Sequence, residues 1–145
     1  MVALLDVNVL IALFYGMHEH HEKAHQWFGR HRRLGWATCP LTENGFVRII
    51  SNSSYAGRGT TLQDAVSRLE EFRESGYHTF WPDSISVRDK DLFSPRHITS
   101  PKRLTDVYLL ALSLHQGGRL ATFDRSISLQ SVVGAGPEHL ALLGN

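Results

Sequence analysis

The constraint that decides most about this chain is a repeated alternation. Short continuous apolar runs, VALL (2–5), LGWATC (34–39), YHTFW (77–81) and RLATF (119–123), are separated by longer stretches with helical spacing. A strand that is apolar on both faces must be covered on both faces, as happens in a parallel sheet flanked by helices. HLALL (139–143) is a candidate fifth strand. The alternation predicts an α/β layer fold with a mostly parallel sheet of four to five strands.

The intervening segments fill in that scheme. Helices are expected at about 7–15, over HEHHEKAHQWFGRH (18–31) with Ala24, Trp27 and Phe28 as its apolar stripe, over 41–51, over 61–75 closed by Gly76, and over 104–118 with Gly117 as C-cap. Residues 51–60 are rich in turn formers, and 83–103 reads as a helical turn or two and then a loop with Pro95 and Pro101. At 145 residues, with 42% apolar and 20% charged, the composition argues for one domain over 1–145 with a real core and against disorder. A formal charge of +1 neither announces nor forbids nucleic acid, since a local basic face is what matters. The single Cys39 leaves no internal disulfide and fits a reducing cytoplasm. The apolar start lacks a basic n-region, contains Asp6 and runs into HEHHEKAH, which is not the pattern of a signal peptide; no uninterrupted apolar run reaches the roughly 18 residues of a membrane span.

Within MVALLDVNVLIALFYG the only polar side chains between Val2 and Phe14 are Asp6 and Asn8. A carboxylate in such a run is costly to bury unless something offsets it. In a parallel α/β fold, ligands bind at the carboxyl ends of the strands, where the N-termini of the returning helices also lie. Asp6 ends the first strand and Asp124 ends the fourth, in LATFDR. Glu43 and Asp106 occur in two copies of one pattern, LTENGF and LTDVYL, in which Thr is expected as N-cap, the acid as first helical residue, and Leu41 with Phe46 or Leu104 with Leu109 as a hydrophobic staple. Taken singly, each acid complements a helix macrodipole or caps a helix. Together they place four carboxylates on one edge, where mutual repulsion raises their pKa values unless a cation intervenes. Hard oxygen donors without Cys or His favour Mg²⁺ or Mn²⁺ over Zn²⁺, and such a site commonly activates water against phosphodiesters.

Other signals compete. HEKAH (21–25) fits the H-E-x-x-H pattern of zinc proteases, but in a short polar helix without an assigned third ligand; a solvated face with Trp27 and Phe28 turned inward, or adventitious Ni²⁺ or Zn²⁺ binding by His18, His21 and His25, fits that context better. A haloacid-dehalogenase-type phosphatase also begins with a strand ending in Asp, but wants a second Asp where Asn8 stands. Basic residues are scattered, and Arg48, Lys102, Arg103 and Arg125 lie nearest the acids in sequence as candidate RNA phosphate contacts. Tyr55, Tyr108 and Trp81 are candidates to stack on bases, with core packing the stronger expectation for Tyr108 and Trp81.

Four segments, LLDVNVLIAL, TENGFVRI, LTDVYLLALS and LATFDR, occur in the order and spread that resemble a PIN-domain ribonuclease, specifically a VapC-type toxin of a toxin–antitoxin pair. The resemblance implies a three-layer α/β/α sandwich, Mg²⁺- or Mn²⁺-dependent endonucleolytic cleavage of RNA, a homodimer, and inhibition by a cognate antitoxin. It also implies a preference for structured RNA such as tRNA or rRNA. Asp6, Glu43, Asp106 and Asp124 match the acidic quartet, with Asp6, Asp106 and Asp124 as metal ligands. Asn8, Thr105 and Thr122 match supporting residues, and Arg48 matches a basic residue one turn beyond the acid. Ser126 departs from the Asp or Gly of many relatives, removing a fifth acidic contribution. The runner-up is a catalytically weak module of the same fold that binds RNA or antitoxin.

Overall fold

The computed structural model describes residues 1–52 and 59–144. Tyr55 and Arg58 lie outside the described residues. In chain order the elements are β1 (Ala3–Leu5), α1 (Val7–Phe14), α2 (His21–His31), β2 (Trp36–Thr38), α3 (Pro40–Ile50), α4 (Leu62–Glu74), β3 (His78–Phe80), α5 (Leu104–His115), β4 (Arg119–Thr122) and β5 (Leu140–Leu142). The five strands form one sheet in the order β3–β2–β1–β4–β5. Every pairing is parallel, with Leu4 opposite Ala37 on one side and Leu120 on the other.

The pleat divides the strand residues between two cores. Ala3, Leu5, Trp36 and Ala121 pack with α1, α2, α3 and α4 through residues such as Leu10, Ala24, Phe46 and Ala65. Leu4, Ala37 and Leu120 pack on the other face with α5 and with Phe93, Ile127 and Val132 from the connecting segments. This is the three-layer α/β/α sandwich. The central strands are buried throughout, as their apolar runs require. The strand at 77–81 behaves differently. It forms an edge of the sheet, and its Thr79 and Phe80 are exposed, because among the described residues no further strand pairs beyond it.

The strand order places a topological switch between β1 and β4. From β1 the chain winds outward through β2 to β3, then returns across the sheet to β4 and β5. At such a switch the loops leaving adjacent strands diverge and open a crevice. Asp6 and Asp124 follow the two strands that flank it. Gly45 lets α3 approach α1 beside this crevice: a Cβ there would stand 2.7 Å from Val7 Cγ2.

Two helix starts differ from the sequence expectation. α3 begins at Pro40 with Cys39 as N-cap, and Thr42 sits inside the first turn, where its Oγ1 accepts from the Cys39 N–H at 3.0 Å. Pro favours a first helical position because it has no N–H to leave unpaired. α5 begins at Leu104, after a three-ten turn over Pro101–Arg103, so Thr105 is likewise not a cap. Glu43 and Asp106 remain in first turns, but neither is the first helical residue. Leu41 and Leu104 are exposed at these helix starts rather than acting as buried staples. The segment 83–103 carries only short turns, anchored by buried Phe93 and its bridge to Val132. Among the described residues, no helix is long and apolar enough to cross a membrane.

Candidate active site

Asp6 is the innermost acid, 6% exposed at the end of the central strand. One carboxylate oxygen accepts from the Val7 N–H at 2.8 Å and the other from Thr122 Oγ1 at 2.6 Å. Burial pushes its carboxyl above the usual range, the hydrogen bonds from Thr122 and Val7 oppose this, and Asp124 adds to the rise. Thr122 ties the crevice together. Its hydroxyl donates to Asp6 and accepts from the Asp124 N–H at 3.1 Å and from Asn8 Nδ2 at 3.5 Å.

Asp124 lies two residues beyond β4 and is fixed from three sides. Ser126 gives it both its N–H, at 2.8 Å, and its hydroxyl, and Arg103 Nη1 pairs with it at 3.1 Å. Burial works against ionisation of Asp124, but the Ser126 bonds, Asp106 and Arg103 outweigh it and leave its carboxyl below the usual range. Asp106, from the first turn of α5, is the opposite case. Burial, the charge of Asp6 and the hydrogen bond and charge of Asp124 push it up to about 7. Three aspartates from β1, α5 and β4 therefore meet in one electrostatic unit, one of them inclined to keep its proton at neutral pH.

Glu43 lies on the same sheet edge but is held differently. Its Oε2 accepts from Thr38 Oγ1 at 2.7 Å. It borders a cavity of about 360 Å³ lined also by Trp36, Glu70, Arg73, His78 and Phe80. Among the described residues, no group of three His, Cys, Asp or Glu side chains already stands in a metal-holding arrangement.

The donors nonetheless suit a hard divalent cation. The crevice offers three carboxylates, and burial together with the charges of Asp6 and Asp124 pushes Asp106 up to about 7 despite the nearby Arg103. It also holds the buried Oδ1 of Asn8, which has no hydrogen-bond partner among the described residues. An unpaired buried carbonyl oxygen costs about 1–3 kcal/mol, and a water or cation at the site would relieve that cost.

The remaining sequence candidates divide. Asn8 and Thr122 are at the crevice. Thr105 is exposed and takes no part in the hydrogen bonds that hold Asp6, Asp124 or Glu43. Arg103 is at the site, with its charge already engaged by Asp124. Lys102 and Arg125 are exposed beside it in sequence, while exposed Arg48 borders a separate groove with Leu62 and Val66. Tyr108 donates its hydroxyl to Asp83 at 2.9 Å and stacks on Phe93, and Trp81 is buried, so both serve packing. In HEKAH, the His21 Nδ1–H donates to the Ala12 carbonyl at 2.7 Å and the His25 Nε2–H to that of Leu13 at 3.0 Å. These are orphan carbonyls of the last turn of α1, so the motif closes a helix.

Sequence reasoning missed Ser126 as a support for Asp124, although Asp-x-Ser is a recognisable Asx-turn pattern. It also missed Thr38 and His78, which no local signal connects with Glu43.

The sequence matches the PIN domain family over residues 3–131, and the chain belongs to that family. It is 43% identical over 143 residues to Ribonuclease VapC44 of Mycobacterium tuberculosis strain H37Rv, covering 99% of this chain and 100% of that protein. It is 44% identical over 133 residues to Ribonuclease VapC39 of the same strain, covering 88% and 92% of the two chains. Ribonuclease VapC38 is 41% identical over 126 residues, 87% of each chain. Within the PIN family the chain is therefore of the VapC type.

Proposed function

We propose that residues 1–145 act as one domain, a metal-dependent endoribonuclease that is the toxin of a toxin–antitoxin pair. The observation that carries this reading is the meeting of Asp6, Asp106 and Asp124 at the switch between β1 and β4, with the unpaired Asn8 Oδ1 beside them. The relatives named above, all ribonucleases, support the reaction class.

In this reading Asp6, Asp106 and Asp124 hold Mg²⁺, or Mn²⁺ as a substitute. The bound ion supplies Lewis acidity toward a phosphodiester oxygen and a more acidic water. The chain's own residues do the rest. Thr122 and the Val7 N–H keep Asp6 ionisable in a buried position. Ser126 and Arg103 keep Asp124 charged and aligned. Asn8 Oδ1 accepts a hydrogen bond from water in the crevice. Glu43 orients the attacking water; the water oxygen bonds to phosphorus, the bond to the leaving ribose oxygen breaks, and the water's proton passes to solvent or to that oxygen. Lys102 and Arg125, exposed at the rim, contact RNA phosphates. The substrate class is structured RNA such as tRNA or rRNA, the inhibitor a cognate antitoxin protein, and the assembly a homodimer.

A catalytically weak RNA- or antitoxin-binding module of the same fold is the alternative. Purified, antitoxin-free protein incubated with total cellular RNA decides between them. Discrete cleavage products that require Mg²⁺ or Mn²⁺, vanish with EDTA and vanish in Asp6→Ala establish the nuclease. Binding without cleavage by folded, metal-supplied protein establishes the module. Cleavage that survives both EDTA and Asp6→Ala removes the aspartate site from the reaction.

A further inference from the structure

Glu43 does not hold its own position. Its Oε2 accepts the proton of Thr38 Oγ1 at 2.7 Å, and the same Oγ1 lies 2.7 Å from His78 Nε2. A hydroxyl has one proton. Thr38 gives that proton to Glu43, so its contact with His78 is a hydrogen bond only if Nε2 carries a hydrogen. The contacts define a directed chain: imidazole Nε2–H to threonine hydroxyl, hydroxyl to carboxylate.

The chain is built on the sheet. Thr38 is 1% exposed at the end of β2. His78 opens the adjacent β3, in register with Trp36, and its ring meets the Trp36 ring edge-on with centroids 4.7 Å apart. Packing on Trp36 limits how far the imidazole can turn away from Thr38. Glu43 by contrast is a long, rotamer-rich side chain in a helical first turn, with much conformational freedom to lose. A cation is near enough to compete for it: Arg73 lines the same cavity and senses the Glu43 charge, but Glu70 engages its guanidinium. With Arg73 occupied, Thr38 is the partner that sets the Glu43 orientation.

We infer that His78 and Thr38 are positioning residues that aim the Glu43 carboxylate at the attacking water. This rests on the reading above in which Glu43 serves RNA cleavage. A positively charged imidazole also carries Nε2–H, so the chain keeps its direction when His78 gains a proton.

The test measures kcat and KM with Mg²⁺ on an RNA oligonucleotide that the wild type cuts. Thr38→Val removes the hydroxyl at nearly constant shape, and His78→Leu removes the donor. Thr38→Ser and His78→Gln keep them, Gln through its amide N–H. Thr38→Val is expected to lower kcat about 10- to 100-fold with KM within about twofold, the kinetic counterpart of losing a hydrogen bond to a charged group. His78→Gln should restore most of what His78→Leu loses, and Thr38→Val should cost nothing further in a Glu43→Gln background. Equal losses in the two backgrounds, or a Gln variant as slow as Leu, overturn the inference. If folded wild-type protein with Mg²⁺ cuts no RNA, the nuclease reading has failed, and ¹⁵N NMR of His78 judges the positioning pair separately. A proton on Nε2 supports it; a neutral ring protonated only at Nδ1 overturns it.

Discussion

Asp106, in the first turn of α5, and Asp124, two residues beyond β4, act on each other's carboxyl groups across the crevice, and the environment drives their acidities in opposite directions. Asp124, held by Ser126, Asp106 and Arg103 against the cost of burial, ionises easily; Asp106, half-buried beside two other acids, holds its proton up to about 7. The pair is an electrostatically coupled unit in a place suited to a doubly charged ion.

A pH dependence of stability follows. Asp106 has an ordinary pKa of 3.8 and a folded-state value of about 7, so between those limits the folded protein holds a proton that the unfolded chain releases. Stability is then fully present below about pH 4 as far as this group is concerned and is lost as pH rises through 7. Asp6, also raised, acts in the same sense. Asp124, lowered, contributes stability that is lost only below its unfolded value and leaves the window from 4 to 7 unchanged in direction. His18 and His78, lowered by burial from 6.5, act in the opposite sense as pH rises through that value, so the Asp106 contribution is read against Asp106→Asn: relative to that variant, metal-free wild type should lose melting temperature from pH 5.5 to pH 8. Asp106→Asn should melt higher at pH 8 and show a flatter profile. Thermal melts of both proteins in EDTA across that range check this, and a wild-type melting temperature that does not fall relative to Asp106→Asn from pH 5.5 to 8 would contradict it.

Arg103 gives a second prediction. Its pair with Asp124 is partly exposed on both sides. Such pairs contribute about 0–1 kcal/mol, so Arg103→Ala should change stability by less than about 1 kcal/mol. It also removes a positive charge from the edge of a proposed cation site. Mn²⁺ should then bind several-fold more tightly, by isothermal titration calorimetry at low ionic strength. Weaker Mn²⁺ binding would mean that Arg103 is needed to shape Asp124 rather than competing for it.

Gly45 gives a third. An added methyl would press to 2.7 Å from the branched side chain of Val7, which is next to Asp6, while Glu43 lies two residues from Gly45 in the chain. Gly45→Ala should destabilise the fold by about 1–3 kcal/mol through overpacking, outweighing the better helix propensity of Ala. It should also lower cleavage by displacing α3 from α1. Denaturant unfolding alongside the RNA assay measures both, and a Gly45→Ala protein more stable than wild type would show that α1 yields without cost.

The histidines of HEKAH give a fourth. Each supplies one hydrogen bond to a terminal carbonyl of α1. His21→Ala and His25→Ala should each cost about 0.5–1.5 kcal/mol, and Zn²⁺ should confer no peptide hydrolysis on the wild type. A casein assay with added Zn²⁺ tests the second point, and activity lost with His21→Ala or His25→Ala would revive the protease reading.

Much of this was legible in the chain because burial and periodicity are local properties. The runs at 2–5, 34–39 and 119–123 are mostly apolar because each is covered on two faces, and that pattern pointed to a parallel sheet between helical layers. The positions of Asp6 and Asp124 at strand ends, and of Glu43 and Asp106 in first turns, were likewise readable one element at a time. Helix starts were less so. Pro40 and the turn at 101–103 moved them by one residue or more, since the choice between Thr and Cys39 as cap depends on where β2 ends.

Tertiary structure decided the rest. Nothing in the residues of β1 and β4 says that they are neighbours, yet their adjacency creates the crevice and brings Asp6 within reach of Thr122, 116 positions away. Neither the apolar run at 77–81 nor its spacing showed that this strand would be an edge, leaving His78 to face Thr38, 40 positions away. The acidities divide in the same way. The sequence determined which groups can ionise, but the opposed behaviour of Asp106 and Asp124 arises from desolvation and from charges on other elements. Those depend on distance in space, which strand order sets and sequence spacing does not.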